Sequence, residues 1–285
     1  MTSAALFDRD LLLMRRARRG APTPGADFLH ARAVDAIADR LLDVSRRFPD
    51  AALVHPGAPV WEETLRAHPS IDALTVAPLT ADEALPLEVG RFDLVDGGLS
   101  MHWANDPVGA LIQMRRALRP DGLLLVALLG GETLTELRVA FAEAEVAEEG
   151  GLSPRVSPMA EIRDLGALLQ RAGLAMPVAD ADAVTVSYAD PLALMRDLRA
   201  MGETNALHAR RRTGLRRATL ARAMAIYAQA FPADGAPGRV RATFEIVTLT
   251  GWAPAPDQPK PKRPGSATAR LSDALGAAEI KLPKT

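Results

Sequence analysis

Apolar positions recur along this chain in two rhythms, a helical spacing and short unbroken runs, and their order predicts the architecture. Residues 7 to 19 set Leu11, Leu12, Leu13 and Met14 beside Arg15, Arg16, Arg18 and Arg19, a short amphipathic helix. The segment APTPG breaks it. Over 27–47, Phe28, Ala31, Val34, Ile37, Ala38, Leu41 and Leu42 share one helical face and predict a second helix. From there strands and helices alternate. AALVH (51–55) reads as a first strand, 60–68 as a helix, and IDALTVA (71–77) as a second strand, followed by the irregular acidic stretch TADEALPLEVG. RFDLVDGG (91–98) is a third strand ending in two glycines. In 106–120, Asp106 suits a helix N-cap, Pro107 its first turn and Pro120 its stop. DGLLLVALLGG (121–131) is apolar on both faces, as parallel strands covered by helices are, and a helix from Thr133 to Glu149 follows. Further helices are expected near 158–172, 190–201 and 213–231, with strands near 183–188 and 240–250. Repeated units of this kind predict an α/β fold: a doubly wound, mainly parallel sheet with its ligand crevice at the carboxyl ends of the strands.

Composition narrows the function classes. The 285 residues are 48% apolar and 24% charged, with a net charge of −1, so the whole molecule is not built electrostatically for nucleic acid. Cysteine is absent, which excludes a disulfide framework and a thiol nucleophile. The N-terminal apolar run is too short for a signal peptide, and Asp8 and Asp10 precede the arginines, against a transit peptide. No stretch approaches the roughly 20 apolar residues of a membrane span. These features predict a cytoplasmic protein, and the Ala/Arg/Leu-rich usage a bacterial one. The Arg face of the first helix is either solvated or a peripheral contact for a partner or a membrane surface. The run carrying Arg210, Arg211, Arg212, Arg216, Arg217 and Arg222 reads as a solvated helix face or, with the KPKRP tail, as a patch for an acidic protein. No aromatic interleaves with those arginines, which disfavours nucleic acid.

The stretch RFDLVDGGLSMHWANDPVGALIQMRRALRPDGLLLVALLGG resembles the second half of a class I S-adenosylmethionine-dependent methyltransferase: strand, cofactor-side loop, helix, then a Pro-Asp-Gly turn into the next strand. FDRDLLLMRRAR, DFLHARAVDAIADRL, LSMHWANDPVGAL, GGETLTELRVAFAEAEVAEEGGLSPRVSP, LMRDLRAMGETNAL and PGSAT together are similar to one branch of that superfamily, the methyltransferase-like assembly factors of respiratory complex I, whose mitochondrial members are arginine hydroxylases. The likeness runs from residue 7 to about 268. It implies a Rossmann-like class I methyltransferase fold, S-adenosylmethionine as cofactor and a complex I subunit as protein partner. Cofactor-side positions implied by it are Gly57, Asp82, Gly97, Gly98 and Leu99.

The opening of the domain departs from the pattern. Where the family carries Asp-x-Gly-x-Gly-x-Gly after the first strand, this chain has His55-Pro56-Gly57-Ala58-Pro59, and only Gly57 remains. Each lost glycine adds a Cβ where backbone should approach the ligand, and two prolines remove two N–H donors. The second strand ends in Ala77-Pro78 instead of the acid that binds ribose hydroxyls; Asp82 is the candidate for the adenine-side acid. The segment from AALV to RFDLV is also short, which predicts a fold contracted in its first half. Together these predict weakened or lost S-adenosylmethionine binding.

His102 and Trp103, after the glycine pair, either line the substrate side of the crevice or cap the strand–helix junction. Glu203 and Asn205, in MGETN, are candidates for a polar pocket on the same side, or a helix cap. The five histidines form no H-x₃-H or H-x-D pair, so no metal site is predicted. The expected organisation is an N-terminal helical extension (1–48), a methyltransferase-like domain (49–253) and a Pro-rich basic tail (254–285). The expected function is a divergent complex I assembly factor, the alternative being an active methyltransferase or arginine hydroxylase.

Overall fold

The computed structural model describes residues 5–18, 25–55, 57–259 and 276; the APTPG break, Pro56 and most of the basic tail lie outside the described residues. One compact unit ends at Pro254 and a second begins at Ala255. In the first, α1 (Arg9–Arg18) and α2 (Phe28–Asp43) precede β1 (Phe48–His55), α3 (Pro59–Ala67) and β2 (Ile71–Pro78). Then come β3 (Phe92–Leu99), a 3-10 turn (Met101–Trp103), α4 (Pro107–Ala117), β4 (Leu118–Leu129) and α5 (Thr135–Glu149). The unit closes with α6 (Ile162–Arg171), β5 (Ala175–Tyr188), α7 (Pro191–Met201), α8 (Arg217–Ala230) and β6 (Val240–Trp252).

The six strands form one sheet in the order β2-β1-β3-β4-β6-β5. The pairs β1–β2, β1–β3 and β3–β4 are parallel, whereas β6 runs antiparallel to both neighbours. The sheet is thus doubly wound and mainly parallel, and its first half is contracted: residues 79–91 join β2 to β3 with no helix or strand. One core cluster lies under α2, α3, α5, α7 and α8, built on Leu53, Leu94 and Leu125. The opposite face carries α4 and α6 over Val54, Val95 and Val126. Burial on both faces explains why β4 reads as an unbroken apolar run.

Local chemistry sets the boundaries. The Asp106 carboxylate accepts the Gly109 N–H at 2.8 Å, and Asp190 accepts from Ala193 at 2.7 Å, each just ahead of a helix-opening proline. α4 ends at Ala117, short of the expected 120, because residues ahead of Pro120 are pushed out of the helical region and extend into β4. β5 begins eight residues earlier than its apolar pattern predicts, at Ala175 instead of 183. It is an edge strand whose exposed positions mix apolar Met176 and Val178 with polar Asp182, Thr185 and Ser187, with a register shift across Pro177. Its Asp182 pairs with Arg32 of α2 at 2.7 Å, and Asp180 with Arg40.

Candidate functional site

The strand order reverses between β1 and β3, so the crevice of such a sheet lies beyond their carboxyl ends. On β1's side, Gly57 sits at φ +92° with open space where a Cβ would be, and its N–H donates to His55 Nδ1 at 2.9 Å. Ala58 is fully buried against the core and α3 starts at Pro59. Burial lowers the His55 pKa, opposed by Glu62. Past β2, Asp82 is exposed and its carboxylate is folded back on the Ala84 N–H at 3.1 Å. Its neighbour Glu83 turns inward instead: its two oxygens accept the backbone N–H groups of Asn105 (2.8 Å) and Asp106 (3.1 Å).

An arginine from the first helix fills what lies between. Arg9 is buried, donating from Nη1 to the Trp103 carbonyl at 3.2 Å and from Nη2 to the Thr80 carbonyl at 2.8 Å, with Nε 3.6 Å from Glu83. Burial works to lower its pKa and the Glu83 carboxylate works against that. Around it, Val54, Leu79, Met101 and Met114 leave a cavity of about 30 Å³. Sites for drug-sized ligands and cofactors run to roughly 300–1,000 Å³. Beside the small cavity, sharing Glu83 and Ala110, lies one of about 440 Å³ bordered by Asp82, Asn105, Asp106 and Gln113.

Gly97, Gly98 and Leu99 all lie at the end of β3, in three different roles. A Cβ on Gly97 would stand 2.8 Å from Val126 Cγ2 and 3.3 Å from Met114 Sδ, so this glycine lets α4 and β4 close on the strand. Gly98 adopts φ +56°, which aims its N–H at Asp96 Oδ1, 2.7 Å away. Leu99 is buried in the core cluster under α2 and α3. Asp96 is fully buried, its Oδ2 has no hydrogen-bond partner among the described residues, and burial pushes its pKa up to about 7 against the Gly98 bond.

His102, Trp103 and Glu203, separated by a hundred positions, meet. Glu203 Oε2 accepts from Trp103 Nε1 at 2.7 Å and from His102 Nε2 at 3.0 Å; Oε1 accepts from Arg16 Nη2 at 2.9 Å. His102 Nδ1 faces the Leu129 N–H at 3.5 Å, so one tautomer, protonated at Nε2, serves both contacts. Burial pushes the Glu203 carboxyl up, but His102, Arg16 and His30 outweigh it and hold the group well below the usual carboxylate range. Asn205 lies alongside with its own partners, donating to the Pro154 carbonyl at 2.7 Å and accepting from the Leu207 N–H at 3.0 Å. Trp103, Glu203 and Asn205 border a cavity of about 230 Å³ whose other walls are mostly apolar, including Leu137, Phe141 and Phe244.

Sequence reasoning passed over Arg9, Arg16 and Asp96. An aspartate inside the apolar run FDLVDGG is a visible signal, since a charged group there must be paired or neutral. Arg16 falls in the basic face expected to be solvated or a peripheral contact, Arg9 carries no signal of its own, and nothing local distinguishes either from Arg18. Among the described residues, no three His, Cys, Asp or Glu side chains converge as a metal-holding group, and no helix is long and apolar enough to cross a membrane.

Comparison with known proteins places this geometry. The family described as "Methyltransferase domain" matches residues 61–126, beginning just after the altered β1–α3 loop. The chain is 38% identical to the arginine-hydroxylase NDUFAF5, mitochondrial, of Danio rerio, over 87% of this chain and 82% of that protein. It is 36% identical to the human protein of the same name, over 98% of this chain and 85% of that one. Among solved structures, the YcgJ protein from Bacillus subtilis superposes with a TM-score of 0.50 at 11% identity, over 79% of this chain and 99% of that one; this likeness concerns the fold alone. The two relatives are mitochondrial proteins of eukaryotes, which overturns the expectation of a cytoplasmic bacterial protein. With identity at this level over more than four fifths of both relatives, the chain belongs to the NDUFAF5 arginine-hydroxylase family and carries a class I methyltransferase domain.

Proposed function

We propose that the protein is an assembly factor for respiratory complex I that acts on a protein subunit, with S-adenosylmethionine binding weakened or lost. The observation that carries this reading is Arg9, whose guanidinium occupies the crevice between the β2–β3 loop and Trp103 and leaves about 30 Å³ there. Supporting it are the single glycine of the β1–α3 loop and the outward-facing Asp82, which contacts its own loop. In this reading the N-terminal extension (1–48), through Arg9, closes the domain (49–253) from one side, and the KPKRP charge of the tail (254–285) suits an acidic partner. Calorimetric titration with S-adenosylmethionine and S-adenosylhomocysteine tests this. The expected result is no heat and no thermal shift at millimolar ligand; low-micromolar binding overturns it and makes methyl transfer the leading reading.

A second reading, an arginine hydroxylase like the named relatives, draws on Asp96. A carboxyl group with a pKa of about 7 and one unpartnered oxygen at a strand's ligand end is suited to hold or release a proton at Oδ2. Under it, Asp96→Asn abolishes modification of the client arginine while client capture by the purified protein persists. Unchanged modification in that variant removes Asp96 from the chemistry.

A further inference from the structure

Away from the crevice, the last turn of α1 and the second half of α7 bring Arg15, Arg18, Arg196 and Arg199 around one cavity of about 570 Å³, and no carboxylate lines it. Arginines near helix C-termini complement the helix dipole one at a time. That does not account for two helices pooling four of them in a shared hollow, where like charges repel. Arg15 spends one N–H on the Asn205 carbonyl. Arg18, Arg196 and Arg199 are exposed and have no ion-pair partner among the described residues. The Thr204 hydroxyl oxygen, also at this cavity, is buried and has no hydrogen-bond partner among the described residues.

Arg199 and Thr204 also border the apolar cavity of about 230 Å³. That cavity is a poor receptor for a cationic side chain: Arg155 and Arg199 line it, and its one carboxylate, Glu203, is already engaged by Arg16. The two hollows therefore adjoin with complementary character, one cationic and one apolar. We propose that together they bind an anionic amphiphile, with a phosphate head on Arg18, Arg196 and Arg199 and an acyl chain among Leu137, Phe141 and Phe244. Guanidinium forks match phosphate oxygens bidentately, and the Thr204 hydroxyl adds a donor at the junction. An acidic peptide would use the arginines but leave the apolar hollow unfilled, which is why the amphiphile is favoured. The head can belong to a membrane phospholipid or to a soluble phosphate-linked acyl carrier.

The test is calorimetric titration of the full chain with dihexanoyl phosphatidic acid below its micelle concentration. Inorganic phosphate, uncharged dihexanoylglycerol and a glutamate oligopeptide serve as comparisons. The phosphatidic acid is expected to bind at least about tenfold more tightly than any of the three. The double variant Arg196→Gln/Arg199→Gln, at exposed positions, should weaken it about tenfold or more with an unchanged melting curve. A second variant, Leu137→Phe, should weaken the phosphatidic acid and leave phosphate unaffected. Equal affinity for phosphate, for the neutral lipid or for the peptide overturns the proposal, as does no binding of the phosphatidic acid. Sedimentation with vesicles of phosphatidylcholine and phosphatidic acid, lost in the double variant, supports it with a membrane source. Binding of the monomeric lipid without sedimentation supports it with a soluble carrier.

Discussion

The guanidinium of Arg9 donates to the carbonyl oxygen of Trp103 at 3.2 Å, joining positions 94 apart in the chain. That contact spans the space beyond β1 and β3 where a sheet of this topology takes its ligand, and about 30 Å³ is left around the arginine. The same arginine satisfies the Thr80 carbonyl and faces Glu83, so it holds three segments of the crevice wall at once.

Replacing it tests both roles. Arg9→Ala is expected to destabilise the fold by about 1–3 kcal/mol, because buried acceptors lose their donor. Glu83 keeps its two backbone N–H partners, which limits the loss. Urea denaturation measures this. If the side chain is what excludes the cofactor, the same variant should gain measurable S-adenosylmethionine binding by calorimetry; a variant that still binds nothing places the obstruction in the β1–α3 loop.

Glu203→Gln keeps the shape of the side chain and removes its charge. Arg16, whose side chain is largely buried, then lacks its counter-ion, and a loss of about 2–4 kcal/mol is expected. The pH dependence carries a sign. The folded carboxyl is held below its unfolded value, so its contribution is present above the unfolded pKa and fades as pH falls through the carboxylate range. Melting temperatures of the wild type should therefore drop on acidification below about pH 5, and the variant's should drop less.

Asp96 has the opposite sign. Its folded pKa, about 7, lies above the unfolded value of 3.8, so its contribution is complete below the unfolded value and lost as pH rises through 7. Asp96→Asn should flatten the stability profile between about pH 4 and 7, leaving the variant relatively better off on the alkaline side. Chemical denaturation at a series of pH values reads this directly; a profile that still falls in the variant assigns the slope to another group.

Two glycines of the candidate cofactor side should respond differently. Gly97→Ala forces a methyl to within 2.8 Å of Val126 between packed layers, and a loss of about 1–3 kcal/mol is expected. At Gly57 the added methyl meets nothing, and the penalty is only that of holding alanine at φ +92°, about 1 kcal/mol. Comparing the two denaturation midpoints separates packing from backbone conformation.

Much of the architecture was legible in residue order. Asp106-Pro107 marks the start of α4 through local hydrogen bonding and fixed φ, which need no distant partner, whereas Pro120-Asp121-Gly122 falls inside β4 and Asp121 is held there by Arg46 from far along the chain. The apolar runs of β1, β3 and β4 identify central strands because only strands buried on both faces can lack polar alternation. β5 escaped over its first eight residues: an edge strand is specified by its neighbour, here β6, and its aspartates answer to arginines on α2.

The site divides along the same line. His102, Trp103 and Glu203 could be named from their position after a strand and a helix, but not the single carboxylate that joins them or the Arg16 that completes it. By itself the sequence determined the strand–helix order, the family and the thinning of the glycine loop, all of which depend on near neighbours. Only the tertiary structure decided which arginines of one amphipathic helix are buried as Arg9 and Arg16 and which stand exposed as Arg18. The physical reason is that a charged side chain is chemically identical in both settings. Whether it is buried depends on carbonyls and carboxylates that the fold brings to it from far along the chain.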